Sequence, residues 1–386
     1  MNKVRLMIGM MVFLCIGLTA NVYAQSFPEE IPLPELSGEY AVGVAYYHLI
    51  DANRPETLTD DEDDQRELMI SVFYPAQVDE NAVNAPYVTP EEAQNIESAY
   101  SGLGVPAALL NAFQTHAYMN VSVADGLFPV VLFSHGAGVI PQFYRAMLEE
   151  LASHGYIVVS IAHTYNATVV TFPDGRVVMG NSAGNIEGNS LEEQTASANR
   201  LLEIWVADAS FVLDELTRLN TDDVLLSGHL DLEHVGMFGH SFGGATAAEM
   251  TVSDERFDAG INMDGTLFGR VANEGTTRPF MFMLSELNRA SQEWENALVN
   301  SQAGYVVLLE NSDHNTYITD QLVIAQYIPD LVPTGIGTVD PVSALNVIHT
   351  YIVAFFDYNL KDKTTDIFTV PAPFEGVDVT LFGVSE

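Results

Sequence analysis

From residue 128 onward the sequence switches repeatedly between two hydrophobic rhythms, and few folds accommodate both. Residues 128–133 read FPVVLF, and similar apolar runs recur at 156–161, 235–239, 260–263, 280–284 and 305–309. Short runs without polar alternation suit strands buried on both faces. Between and after them, residues 141–153, 191–220, 243–252, 292–300 and 342–359 carry helical spacing. The first of these segments opens on Pro141 and has Gly155 just past its end, the expected start and stop residues. Strands covered on both sides and separated by helices make an α/β fold, a mostly parallel central sheet flanked by helices. Residues 40–47 and 68–74 read as earlier strands, the second alternating as Met69, Ser71 and Phe73; as an opening hairpin they would lie antiparallel at one edge. A further hairpin is expected at 170–178 around Pro173-Asp174-Gly175.

The ends and loops add an address and two open questions. Residues 1–24 contain no acid; Lys3 and Arg5 precede an apolar run over 6–20, and Val22-Tyr23-Ala24 puts small residues at −3 and −1 of a cut. This pattern predicts a signal peptide removed after Ala24 and export to the periplasm or medium. The run is short for a membrane span, and no other stretch approaches one. Residues 25–386 then form a single catalytic domain. The only cysteine, Cys15, falls in the leader, so neither a disulfide nor a Cys-based zinc site is expected. Fourteen Lys and Arg face 52 Asp and Glu, a net charge of −38 that excludes charge-driven binding to nucleic acid or an anionic membrane and fits a saline habitat. The run Asp60-Asp61-Glu62-Asp63-Asp64 lacks the glycine turn and distal Glu of a calcium loop and reads as a solvated loop. Residues 91–100 and 105–119 read as helices. The second carries Leu109, Leu110, Phe113 and Tyr118, which suits either a lid or interface surface over a site or a helix docked on the core.

The chemistry gathers at Gly239-His240-Ser241-Phe242-Gly243, a G-x-S-x-G motif that follows a buried strand and opens an Ala-rich helix. The turn is tight, so its flanks must lack bulk, which Gly239, Gly243 and Gly244 satisfy. Ser241 would stand at a helix N-terminus, where the dipole favours developing negative charge. A serine needs a base to act as nucleophile. Of the two histidines downstream, His314 follows the 305–309 strand, whereas His349 sits inside the last helix with a packing role. The acid that orients the imidazole is Asp264 or Glu286, each ending a strand after the serine; Asp313, next to His314, reads as a solvated loop acid. The oxyanion needs two N–H donors. Phe242 supplies one and Ala137, in Phe133-Ser134-His135-Gly136-Ala137-Gly138, the other. His135 and His240 read as structural hydrogen-bonding residues, and His163 either lines the pocket or caps its strand.

At these residues the chain resembles the plasma-type platelet-activating-factor acetylhydrolases and their bacterial relatives. The likeness is carried by LFSHGAGVI and LASHGYIVV within 132–159, by VGMFGHSFGGATAAEM and RFDAGINMD within 235–264, and by a shorter match around His314. The resemblance implies an α/β-hydrolase fold and a metal-independent serine esterase without cofactor. It implies Ser241 as nucleophile, Asp264 rather than Glu286 as acid, His314 as base, and Ala137 and Phe242 as oxyanion donors. The substrate would be a small-molecule or lipid ester with a short acyl chain. The family's usual Leu in the oxyanion loop is Ala137 here, and the insertion at 165–192 differs, so headgroup and acyl preference are not carried over. The rivals are a polyester or plant-polymer esterase on the same fold and a non-catalytic binding module.

Overall fold

A computed structural model of the chain describes residues 27–101, 105–290, 298–328, 334–369 and 371–383. Ten strands form one sheet: β1 (Ala41–Pro55), β2 (Gln65–Ala76), β3 (Tyr118–Met119), β4 (Phe128–Ser134), β5 (Ile157–Ala162), β6 (Leu230–His240), β7 (Ala259–Met263), β8 (Phe280–Ser285), β9 (Gly304–Leu309) and β10 (Val377–Phe382). Their spatial order is β10-β9-β8-β7-β6-β4-β5-β2-β1-β3. From β9 through β5 every neighbouring pair is parallel. The antiparallel pairings lie toward the edges: β2 on β5, β1 on β2, and β10 on β9. The α/β reading of the sequence therefore holds, and so does the antiparallel opening hairpin.

The continuous apolar runs are explained by burial. All residues of β4, β5, β7 and β8 are buried, and alternate side chains feed opposite faces of the sheet. Val131, Phe133 and Phe238 join one core with Tyr156, Tyr351 and Phe356. Val130, Leu132 and Met237 join the other with Leu213, Leu216 and Phe257. Each large apolar side chain so buried contributes about 1.5–3 kcal/mol. The covering helices are α1 (Pro90–Ala99), α2 (Ala107–Ala112), α3 (Arg145–Ser153), α4 (Leu191–Asp222), α5 (Phe242–Ser253), α6 (Thr319–Tyr327) and α7 (Pro341–Leu360).

Several expectations need correction. Residues 105–119 are not one helix. Six residues form α2, then Phe113–Gln114 pairs with Ile31–Pro32 and Tyr118–Met119 pairs with Gly43 and Val44 of β1. Pairing to neighbouring strands overrides local helical preference here. Leu109, Leu110 and Phe113 are packed into the core rather than presented to solvent. The helix expected from Pro141 begins as a 3₁₀ turn, Pro141–Tyr144, before α3. Helix α6 and strand β10 had no sequence counterpart. Most of the 292–300 segment and the whole 1–24 leader lie outside the described residues. The 170–178 hairpin is present, as Val169–Thr171 against Val177–Met179. Residues 60–63 are exposed, and the Asp61 carboxylate accepts the Asp63 N–H within the turn. No helix among the described residues is long and apolar enough to cross a membrane.

Candidate active site

The elbow forms where β6 stops at His240 and α5 starts at Phe242. Ser241 between them has φ 55° and ψ −120°, a conformation that costs a non-glycine residue energy. Its N–H donates to the Met263 carbonyl at 2.8 Å, which fixes the turn against the end of β7. A Cβ at Gly243 would stand 2.6 Å from the His135 carbonyl oxygen and closer still to Ser134, so only glycine lets the loop after β4 approach the elbow. The register brings the ends together: Gly239 lies beside Ser134, and His240 beside Met263. Loops after β4, β6 and β7 therefore meet at the carboxyl edge of the sheet, where open α/β sheets place their sites.

His314 opens a 3₁₀ turn, His314–Tyr317, just beyond β9. Its Nε2 is 2.9 Å from Ser241 Oγ, and its Nδ1 is 2.8 Å from Asp264 Oδ2. Asp264 is fully buried at φ 57°, and its carboxylate also accepts the Ser285 N–H (2.7 Å) and the Ser285 hydroxyl (3.0 Å). A carboxylate opposite Nδ1 keeps the proton there and leaves the Nε2 lone pair facing the serine hydroxyl, so the imidazole can take that proton. Glu286, the alternative acid, turns away and accepts the Asn311 N–H at 2.6 Å. Asp313 accepts the His314 N–H and caps the turn, so it is a positioned cap rather than a solvated loop acid. His349 sits in α7 with Nε2 buried and, among the described residues, without a hydrogen-bond partner; it also lines a cavity of about 520 Å³ between α6, α7 and the 32–37 segment that holds none of Ser241, Asp264 and His314.

The loop after β4 lies directly against the serine: a Cβ on Gly136 would be 3.4 Å from Ser241 Cβ. Its N–H groups are mostly spent inside the protein. Gly136 N–H donates to the Tyr144 hydroxyl (3.1 Å), Gly138 N–H to the Asn166 carbonyl (2.9 Å), and Val139 N–H to the Gly136 carbonyl (3.0 Å). Gly138 takes φ 72°, as the third residue of a type II turn must. Among the described residues no acceptor faces the N–H of Ala137 or of Phe242, the first residue of α5. Two free donors thus flank Ser241.

Two histidines expected to be structural are so. His240 Nε2 meets the His314 carbonyl at 2.9 Å, so it carries the proton; Nδ1 then accepts the Tyr144 hydroxyl proton at 2.8 Å. Burial, reinforced by the nearby His314, keeps the His240 imidazole far below its usual pKa and neutral. His135 accepts the His163 N–H on Nε2 (3.2 Å) and donates from Nδ1 to the Gly136 carbonyl (2.7 Å). Burial pushes it down to about 3.

His163 is fully buried and lines no open surface. Its Nδ1 bonds Asp208 Oδ2 at 2.8 Å, its Nε2 bonds Ser134 Oγ at 2.9 Å, and its ring stacks on Trp205 at 3.8 Å. Asp208 is held by Arg66 (2.6 and 3.0 Å) and Arg54 (2.5 Å). Burial pushes its carboxyl up, but the Arg66 charge and the bonds from His163 and Arg66 outweigh it and keep the group far below the usual range. Sequence reasoning missed Ser285, Tyr144, Asp208 and Arg66, because none carries a local motif. Among the described residues no group of three or more His, Cys, Asp or Glu side chains could hold a metal ion.

Comparison with known proteins gives the same direction. A probable 1-alkyl-2-acetylglycerophosphocholine esterase from Arthroderma benhamiae is 30% identical over 279 residues, 67% of this chain and 65% of the relative. The platelet-activating factor acetylhydrolase of Cavia porcellus is 27% identical over 323 residues, 77% of this chain and 74% of the relative. Among solved structures, a ferulic acid esterase from Streptomyces cinnamoneus superposes with a TM-score of 0.78 at 27% identity, covering 92% of this chain and 99% of that one. The family model described as platelet-activating factor acetylhydrolase, isoform II, matches residues 25–369, and the chain belongs to that family.

Proposed function

We propose that the protein is an exported serine carboxylic-ester hydrolase working through an acyl-enzyme. His314 removes the Ser241 proton as the oxygen attacks the ester carbonyl. The N–H groups of Ala137 and Phe242 hold the resulting oxyanion. His314, oriented by Asp264, then protonates the leaving alcohol, and water repeats the sequence to release the acid. The observation that carries this reading is the unbroken line from Asp264 Oδ2 through the imidazole to Ser241 Oγ, at 2.8 and 2.9 Å. A non-catalytic binding module would need neither that line nor two free N–H groups beside the serine.

The substrate class is a small or lipid ester with a short acyl chain, in keeping with the acetylglycerophosphocholine esterase named among the relatives. A second reading, hydrolysis of hydroxycinnamate or polymer-bound esters, is favoured by the ferulic acid esterase likeness over nearly the whole chain. Export rests on Lys3, Arg5, the apolar run over 6–20 and the cleavage pattern ending at Ala24. Turnover of p-nitrophenyl acetate by wild type and Ser241→Ala tests the chemistry. The variant should fold normally, lose turnover and escape fluorophosphonate labelling; wild-type turnover in Ser241→Ala overturns the proposal. An alkyl-acetylglycerophosphocholine run beside methyl ferulate separates the two substrate classes.

A further inference from the structure

We propose that His163, braced by Asp208, is a positioning residue that sets the direction of the Ala137 N–H beside Ser241. The inference rests on the serine-esterase reading above and adds to it a residue outside the reacting groups.

The argument follows the bonds outward from the loop. In a trans peptide the C=O and the following N–H point in opposite directions. The direction of the Ala137 N–H is therefore fixed by whatever holds the Gly136 carbonyl. That carbonyl accepts from His135 Nδ1 at 2.7 Å and from Val139 N–H at 3.0 Å. His135 can donate from Nδ1 only because its Nε2 is occupied as an acceptor, and the donor there is the backbone N–H of His163. His163 in turn has a single self-consistent proton arrangement: Nδ1–H to the Asp208 carboxylate and Nε2 accepting the Ser134 hydroxyl. Ser134 is the last residue of β4 and begins the same loop. The His163 side chain thus ties the start of the loop, while its backbone sets the tautomer that orients the peptide at 136–137.

The support behind His163 is rigid. Trp205 stacks on the ring with planes 12° apart and also meets His135 edge-on at 5.0 Å. Arg66 grips Asp208 with two bonds and reaches the Thr164 carbonyl and Glu56, both at 2.9 Å. Ser134, His163 and Asp208 together reproduce a Ser–His–Asp hydrogen-bond line, but all three are buried, so none of them can meet a substrate. Their effect reaches the reaction only through the loop.

The test uses His163→Leu, His163→Asn and Ser134→Ala in the full chain. Active serine is counted by fluorophosphonate titration, so unfolded material does not enter kcat. Loss of one aligned oxyanion donor costs up to about 10²–10³ in kcat, and partial misalignment in His163→Leu should cost about 10- to 100-fold with KM within about twofold. A trifluoromethyl ketone, which forms a tetrahedral adduct on the serine, should lose affinity by the same factor. His163→Asn, whose amide N–H can still reach Asp208, should recover part of the loss. A purely structural role would lower the melting temperature and leave kcat per titrated serine unchanged, and that result in His163→Leu overturns the proposal. If His163→Leu does not fold, Ser134→Ala decides: unchanged kcat per serine and unchanged ketone affinity sink the proposal, and a loss of about threefold or more supports it. Failure of the serine reading would show separately, as turnover by Ser241→Ala.

Discussion

Replacing Asp264 by Asn tests which acid orients the imidazole, and the structure gives the size of the effect. In the native site Oδ1 accepts the Ser285 N–H, while Oδ2 accepts both the Ser285 hydroxyl and His314 Nδ1. An amide keeps only one oxygen. If that oxygen stays on the Ser285 N–H, the new NH₂ faces Nδ1, and the imidazole must put its proton on Nε2, toward Ser241. The Ser285 hydroxyl can rotate to accept, so every bond survives but the base is lost. If the amide turns the other way, its NH₂ meets the fixed N–H of Ser285, and two buried donors face each other at a cost of about 1–3 kcal/mol. The first arrangement wins. A forced tautomer of this kind lowers kcat by about 10⁴ in a serine hydrolase, about 5 kcal/mol on the barrier. The assay is p-nitrophenyl acetate turnover with thermal unfolding as a folding control, beside Glu286→Gln as comparison. Among the described residues the Glu286 carboxylate bonds the Asn311 N–H and neither Ser241 nor His314, so its variant should stay within about threefold of wild type, a loss of under 1 kcal/mol. An Asp264→Asn enzyme within tenfold of wild type, or an equal loss in Glu286→Gln, refutes the reasoning.

Tyr144→Phe should strand the Gly136 N–H and His240 Nδ1 together and lower unfolding stability by about 2 kcal/mol, with a drop in kcat; unchanged urea midpoint and kcat would show that the hydroxyl ties nothing. Burial pushes the Asp320 carboxyl up from 3.8 to about 6, against a backbone bond from Ala146. Between those values the folded state keeps a proton that the unfolded chain gives up, so this group's contribution to stability falls as pH rises through that window and is level above it. Urea midpoints of wild type minus Asp320→Asn should therefore decline across that range, and a flat difference counts against the assignment. Net charge of −38 implies self-repulsion, and the screening length falls from about 10 Å at 0.1 M salt to about 3 Å at 1 M. Melting temperature should rise with sodium chloride over that span, and a fall would show that repulsion is not what limits stability.

What the sequence made legible was local. The strands β4, β5, β7 and β8 announce themselves because both faces are buried, so their text is apolar throughout. The elbow is legible because its steric demand for small residues falls within five consecutive positions. The platelet-activating-factor acetylhydrolase resemblance and the α/β-hydrolase fold follow from such blocks. The choice between Asp264 and Glu286 was different in kind. Both end a strand, so the residues alone leave them open; the resemblance selects Asp264, and the positions of β7, β8 and the turn after β9 bring its carboxylate to the imidazole. Residues 105–119 misled because their strand partners, Ile31 and Gly43, lie more than seventy residues away in sequence. Asp208 and Arg66 were invisible for the same reason: nothing in the text of a long amphipathic helix says that one of its acids faces an arginine on a strand.

The opening hairpin has a consequence for how this molecule can be divided. The groups proposed to act on the ester, from Ala137 to His314, all lie downstream of Phe128, so a fragment beginning there would carry all of them. Yet Met69 to Phe73 cover the outer side of β5, and Arg54 and Arg66 neutralise Asp208 from the same hairpin. Cut away from that hairpin, the fragment would carry a bare strand edge and an uncompensated carboxylate under its own reaction centre. The chain is thus indivisible at the one place where the positions of Ser241, Asp264 and His314 invite a cut.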